Sequence, residues 1–115
     1  MEKIQKQFFD IGANLTHPSF EKDMDNVLND AKEVGVKRIS ITGSDLDESI
    51  KAAELAKHNP NFMISTAGIH PHNAKEYSSS SFTEIIDLLK FDEVKCLGET
   101  GLDFYRNFST PEQQQ

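Results

Sequence analysis

The sequence of 115 residues has one cysteine and no apolar run close to the roughly 20 residues that a bilayer span requires. Because Cys96 stands alone, an intrachain disulfide is excluded, and a reducing compartment is favoured. The first residues contain lysine but no continuous apolar stretch followed by a small-residue cleavage site. We therefore expect a cytoplasmic protein with no membrane segment and no secretory signal.

Positive charge is also scarce. The chain has 12 Lys and Arg against 19 Asp and Glu, for a formal charge of −7. This balance argues against a protein that coats nucleic acid through bulk charge, although a local phosphate site stays open. The hydrophobic share of 37% and eight Phe residues suffice for one core and exclude a disordered tail. We expect a single domain over residues 1–115.

Short apolar runs alternate with helical stripes along the chain. Phe8, Phe9 and Ile11 predict a first strand that ends in a loop rich in Gly, Asn, Ser and Pro. From Phe20 onward the apolar residues fall on one helical face, which predicts a helix of about four turns closed by Gly35.

The same alternation continues to the end of the sequence. Further strands are predicted at residues 36–42, 62–68 and 94–99. A second helix is capped by Ser44 or Asp45 and ends near His58, and a third is capped within residues 78–81. Thr110, Pro111 and Gln113 predict the start of a fourth helix.

Four strands separated by three helices predict right-handed crossovers and a parallel sheet, which is an α/β fold. The predicted strands end at Asp10, Thr42, Gly68 and Glu99. Their similar spacing suits the units of a barrel as well as an open sheet. Ligand sites of parallel α/β folds are built at the carboxyl ends of the strands, so polar residues at these ends are candidates for function.

Glu99 is the most informative of these polar residues. It closes an apolar strand between Gly98 and Gly101, so we expect its carboxylate to be only partly solvated. A partly buried anion requires a cation or several hydrogen-bond donors. A divalent metal would meet this need, and so would a salt bridge to Arg106 or Lys95.

Four histidines offer weaker signals. His70 and His72 flank Pro71, a spacing that could bind a transition metal but is not specific for one. One of the two suits a substrate contact or an acid/base group, and the other a solvated loop residue. His17 and His58 lie beside predicted helix ends, where a surface or helix-dipole role is typical.

Three segments together resemble the TatD family of metal-dependent deoxyribonucleases, part of the wider amidohydrolase-like group. They are DIGANLTHPSF, AGIHPHNA and GETGLDFYRNFSTPEQQ, and the resemblance covers nearly the whole chain. It implies a (β/α)8 TIM-type barrel with a divalent-metal centre at the carboxyl face. It also implies hydrolysis of DNA phosphodiester bonds, with single-stranded ends as substrate. Mg²⁺ is the first expectation for the metal, with Mn²⁺ or Zn²⁺ as alternatives.

The resemblance also assigns roles to individual residues. Glu99 matches a metal-ligating glutamate, His70 a histidine beside the site, and Arg106 a basic position that could meet phosphate. Asn14 is a further candidate for substrate binding, and no residue is assigned as catalytic. Many relatives carry a metal-binding HxH pair where this chain has Gly12 and Asn14, so the second metal position lacks those ligands.

A barrel of this type requires roughly 250 residues, so the chain is expected to be its truncated N-terminal half. The resemblance places later ligands beyond residue 115. Such a half should expose apolar surface on the first helix and the fourth strand and should self-associate. The alternative is a non-catalytic α/β binding or assembly module, and closure of the sheet discriminates between the two.

Overall fold

Residues 5–115 are described in a computed structural model, in which strands and helices alternate along the chain. Two short 3₁₀ turns, Pro18–Phe20 and Pro71–Glu76, follow the first and third strands. The regular elements are β1 (Phe8–Ala13), α1 (Met24–Glu33), β2 (Val36–Ile41), α2 (Leu46–His58), β3 (Met63–Ala67), α3 (Ser79–Leu88), β4 (Val94–Leu97) and α4 (Pro111–Gln114).

Within residues 5–115 the four strands form one parallel sheet in the order β1-β2-β3-β4. Each strand therefore pairs with the next one in sequence. Open doubly wound sheets reverse their strand order at a switch point, whereas a barrel keeps it sequential. The fold is that of the first half of a (β/α)8 barrel, which confirms the predicted α/β class and parallel sheet.

The main core lies between the sheet and its helices. Ile39 and Ile41 of β2 and Met63 of β3 pack with Ala52 and Ala56 of α2, and all five are buried. Alternate residues of β3 are buried on this helix side, so the intervening ones face the inner side of the half barrel. None of the helices in residues 5–115 combines the length and the apolar character that crossing a bilayer requires.

The predicted helix starts are largely confirmed. The Asp45 carboxylate accepts a hydrogen bond from the Glu48 N–H at 2.7 Å and caps α2, which ends at His58. Ser78 and Ser81 form a reciprocal capping box at α3. Thr110 and Gln113 form another at α4.

Three predicted boundaries are wrong by two residues or more, and those of β2 and β3 differ by one. Helix α1 begins at Met24 and not at Phe20, because Pro18 starts a 3₁₀ turn that ends at Phe20. It spans 10 residues, closer to three turns than to four. Strand β1 continues to Ala13, so Asp10 lies inside the strand, where its carboxylate accepts a hydrogen bond from the Gly12 N–H at 3.1 Å. Strand β4 ends at Leu97, and Glu99 follows it.

The two outer strands leave apolar side chains uncovered. Phe8, Phe9 and Ile11 of β1 are 51%, 50% and 79% exposed, and Leu97 of β4 is 53% exposed. Exposure on the fourth strand was predicted. The prediction for the first helix is wrong, since α1 packs its apolar residues against the core and the uncovered surface belongs to β1.

Candidate functional site at the carboxyl edge

A cleft of about 480 Å³ lies where the four strands end. Parallel strands bring their carboxyl ends to the same edge of the sheet, so residues distant in sequence meet there. Every strand, or the residues directly after it, contributes to the lining, which consists of Ile11, Gly12, Thr42, Thr66, Gly98 and Glu99.

Close backbone contacts fix the position of Glu99 at this cleft. The Glu99 N–H donates to the Gly43 carbonyl oxygen, and the Gly98 N–H donates to the Ala67 carbonyl oxygen, both at 2.9 Å. A Cβ atom on Gly68 would lie 2.6 Å from the Gly98 carbonyl carbon. The absence of a side chain at Gly68 therefore allows the loops after β3 and β4 to touch.

The Glu99 side chain is 53% exposed, so its carboxylate is about half solvated. Two features of the structure explain this exposure. Glu99 lies beyond the end of β4, and β4 has a strand neighbour on one side only among residues 5–115. The exposed carboxylate faces the open cleft.

The nearest ionisable partner of the Glu99 carboxylate within residues 5–115 is a histidine. His70 Nε2 lies 3.5 Å from Glu99 Oε1. The salt bridges to Arg106 or Lys95 that the sequence left open are not formed within residues 5–115. The ends of β3 and β4 thus bring together two of the residues selected from the sequence.

The environment of His70 fixes which ring nitrogen carries its proton. His70 caps the 3₁₀ turn at Pro71–Glu76, and its Nδ1 accepts a hydrogen bond from the His72 N–H at 3.1 Å. An accepting Nδ1 has no proton, so the neutral ring is protonated at Nε2. His70 therefore presents an N–H donor toward Glu99, and that donor suits an anionic group better than a metal ion.

His72 makes a contact that sequence reasoning missed. Its Nε2 lies 2.6 Å from Asp103 Oδ2, and its side chain is only 23% exposed, so it is not a solvated loop residue. The hydrogen bond from His72, followed by that from the Arg106 N–H, lowers the pKa of the Asp103 carboxyl. His72 follows β3 and Asp103 follows β4, and the two strands end at the same edge of the sheet. This shared edge was the only feature of the sequence that could have predicted the contact.

Arg106 and Asn14 lie on exposed loops, outside the residues that line the cleft. The Arg106 N–H donates to Asp103 Oδ1 at 3.3 Å, and the Asn14 carbonyl oxygen accepts from the His17 N–H at 3.2 Å. His17 and His58 have local roles at helix ends, as predicted: His17 Nδ1 accepts from the Ser19 N–H, and His58 Nδ1 lies 2.7 Å from the Glu54 carbonyl oxygen.

The donor set of the cleft fits part of a site for a hard cation. No cluster of three or more His, Cys, Asp or Glu side chains suited to a metal occurs in residues 5–115. The oxygen donors at the cleft are the exposed Glu99 carboxylate and the hydroxyls of Thr42 and Thr66. Mg²⁺ can be held by one or two carboxylates together with waters and substrate phosphates. Glu99 therefore fits as one ligand of such a site.

Comparison with known proteins decides the family. The family model described as TatD related DNase matches residues 9–115. The chain belongs to the TatD DNase family. Among curated relatives, it is 50% identical over 107 residues to the 3'-5' ssDNA/RNA exonuclease TatD of Yersinia pseudotuberculosis. It is 47% identical over 106 residues to the protein of the same name in Erwinia tasmaniensis.

The matched segment is most of this chain but a smaller part of its relatives. It covers 93% and 92% of the chain and 41% of each of the two TatD relatives. A crystal structure of a TatD family hydrolase from Entamoeba histolytica superposes with a TM-score of 0.85 at 33% identity, covering 97% of this chain and 43% of that one. An uncharacterized amidohydrolase from Saccharomyces cerevisiae superposes with a TM-score of 0.82 at 26% identity, covering 94% and 41%.

Proposed function

We propose that this protein is a divalent-metal-dependent hydrolase that cleaves phosphodiester bonds in DNA and acts on single-stranded ends. The observation that carries the proposal is the pairing of Glu99 with His70 at the carboxyl edge. There the exposed Glu99 carboxylate, which lines the cleft, lies 3.5 Å from the N–H donor of His70. The family, and the exonuclease names of its TatD relatives, support the same reaction.

The four strands are proposed to form the N-terminal part of a closed barrel. Two facts support this domain assignment. The chain spans 41% of the length of its TatD relatives, and the outer strands β1 and β4 leave Ile11 and Leu97 more than half exposed. Closure of the barrel by further strands would cover both surfaces and would add ligands to the cleft.

Glu99 is proposed to hold the metal. A bound divalent ion lowers the pKa of water and neutralises charge that develops on the phosphate. Mg²⁺ is the first choice because the donors at the cleft are oxygens, and Mn²⁺ shares this preference. Zn²⁺ is less suited, since the His70 ring nitrogen nearest Glu99 carries a proton.

His70, Arg106 and Asn14 are proposed to bind the substrate. The His70 Nε2–H can donate to a phosphate oxygen, because its proton position is fixed by the bond at Nδ1. Arg106 is exposed on the loop after β4, where its guanidinium can meet a neighbouring phosphate. The Asn14 amide after β1 would add a further polar contact.

These contacts reconcile a net charge of −7 with a nucleic-acid substrate. A protein that holds the end of one strand in a local site has no need of the basic track required to coat a duplex. Cytoplasmic location is part of the same proposal. The alternative, a non-catalytic binding module, is favoured only by the small number of metal ligands among the described residues.

The proposal is tested by following nucleotide release from a single-stranded DNA oligonucleotide with Mg²⁺. The chain is assayed alone, together with a polypeptide that supplies the remaining strands, and in both settings as Glu99→Ala. We expect little release by the chain alone, restored release by the pair, and loss of that release in the variant. Robust cleavage by the chain alone that disappears in Glu99→Ala would show that the site is complete here. A reconstituted pair that is inactive would favour the binding module.

A further inference from the structure

His72 and Asp103 form a second pair on the loops that carry the two residues of the proposed site. His72 is two residues after His70, and Asp103 is four residues after Glu99. Their side chains meet at 2.6 Å, closer than His70 and Glu99 meet each other. The contact therefore joins the loop after β3 to the loop after β4, which are the loops that carry the proposed site.

His72 contacts His70 in two ways. The His72 N–H donates to His70 Nδ1 at 3.1 Å, and the two rings are arranged edge to face with centroids 4.3 Å apart. The ring of His72 also packs against Phe108 at 4.9 Å. Any movement of His72 would therefore disturb the bond that keeps the His70 proton on Nε2.

Asp103 is itself held firmly. Its Oδ1 accepts hydrogen bonds from the N–H groups of Tyr105 and Arg106, which leaves Oδ2 directed at His72. The Gln114 side chain bonds to both the N–H and the carbonyl oxygen of Asp103. The carboxylate is thus a fixed acceptor, and an ionised carboxylate can accept only from a protonated His72 Nε2.

We propose that His72 and Asp103 are positioning residues that hold His70 with its Nε2 proton directed at Glu99. The role assigned to this arrangement rests on the proposed function. The arrangement itself can be measured without any assay of activity. Asp103 anchors the His72 ring, and the His72 main chain and ring then fix the orientation of His70. Neither positioning residue contacts the substrate.

A second set of hydrogen bonds between the same loops provides a matched control. Ser109, which is 2% exposed, donates through its hydroxyl to the His72 carbonyl oxygen at 2.9 Å and accepts from the Lys75 N–H at 3.0 Å. These hydrogen bonds hold the loop without touching the His72 ring. Ser109→Ala should therefore loosen the loop in general, whereas Asp103→Asn should act on the ring of His72.

The test is NMR of the chain, with hydrogen exchange of the His72 N–H and ¹⁵N signals of the His70 ring as readouts. Asp103→Asn and His72→Ala should lower the protection of the backbone N–H of residue 72 about tenfold, which corresponds to the loss of one hydrogen bond to a charged group. They should also move the His70 Nδ1 signal away from that of a hydrogen-bonded acceptor. His72→Gln, whose amide can still donate to Asp103, should retain most of the protection.

The controls separate positioning from folding. Asp87→Asn, which removes a surface partner of Lys90, should change neither readout. Amides of β3 should keep their protection in every variant if the effect is local. An unchanged His70 signal in both Asp103→Asn and His72→Ala would overturn the inference, as would equal effects of Ser109→Ala and Asp103→Asn. None of these outcomes depends on whether the protein cleaves DNA.

Discussion

Two carboxylates at the carboxyl edge, those of Glu99 and Asp103, have different surroundings. The Glu99 side chain is exposed, and among residues 5–115 its carboxylate pairs with the His70 ring alone, at 3.5 Å, so its oxygens stay available to a cation. Asp103 has both oxygens engaged by His72, Tyr105 and Arg106, so it is committed to the structure. Two acidic residues four positions apart can therefore have different roles.

The lowered pKa of Asp103 gives a prediction for stability against pH. Hydrogen bonds to the ionised carboxylate, first from His72, lower this pKa in the folded chain. The resulting contribution to the free energy of unfolding is fully present above the unfolded-state pKa of about 3.9 and is lost as pH falls through the lower folded-state value. In urea unfolding, the natural chain should have a higher free energy of unfolding than Asp103→Asn, and this difference should become smaller below about pH 3.9.

Asp87→Asn provides the comparison for this experiment, since Asp87 forms an exposed pair with Lys90. Such surface pairs contribute about 0–1 kcal/mol, so Asp87→Asn should differ little from the natural chain in free energy of unfolding at every pH. If the difference in free energy of unfolding between the natural chain and Asp103→Asn stays constant down to the most acidic pH, the contact with His72 is not what lowers the pKa of Asp103.

At the scale of elements, glycines allow the loops after β2, β3 and β4 to approach one another. Gly43 and Gly68 both lie where a Cβ atom would overlap backbone atoms: for Gly43 the Thr66 carbonyl oxygen at 2.6 Å, and for Gly68 the Gly98 carbonyl oxygen at 2.8 Å. These close approaches bring the loops that carry His70 and Glu99 into contact. The strands set the edge, and the glycines set the spacing across it.

This geometry predicts a difference between two neighbouring glycines. Gly68→Ala should lower the free energy of unfolding by about 1–3 kcal/mol, because its methyl group would overlap the Gly98 backbone and force the loops apart. Gly98→Ala should cause no overlap, since no atom lies within 4 Å of the added carbon. If urea unfolding gives equal losses of free energy of unfolding for the two variants, overlap with the Gly98 backbone is not the cause of the loss in Gly68→Ala.

The sequence predicted the elements better than their ends. Apolar spacing identified all four strands and the main helices, and capping residues such as Asp45 and Ser78 marked helix starts. Pro18 shortened α1 because a local 3₁₀ turn competed with the helix. The solvation of Glu99 depends on what covers β4, and the spacing of apolar residues carries no information about that.

At the site, sequence reasoning selected residues but not their contacts. The resemblance pointed to Glu99 and His70, and the structure brings these two together. The contact of His72 with Asp103 was missed, because it depends on the distance between two loops separated by 31 residues. Register across a sheet brings such loops together, and no local pattern along the chain encodes it.

At the scale of the whole molecule, the sheet leaves apolar side chains uncovered on both outer strands. Exposed edges with apolar residues promote pairing between chains. We expect the isolated chain to self-associate through β1 and β4, with sedimentation showing larger species as concentration rises. Replacing Ile11 and Leu97 by polar residues should shift the chain toward monomer. A compact, stable monomer of the natural chain at high concentration would instead support a self-contained binding domain.

The proposed function requires that the Glu99 carboxylate holds a divalent metal. The most direct measurement is nucleotide release from single-stranded DNA at saturating Mg²⁺, by the complete barrel that carries either Glu99 or Glu99→Gln. We expect turnover to fall more than about 100-fold with unchanged thermal unfolding, because an anionic ligand is lost while the shape of the side chain is kept. Asp87→Asn should retain full turnover. Unchanged turnover of Glu99→Gln at saturating metal would contradict the claim.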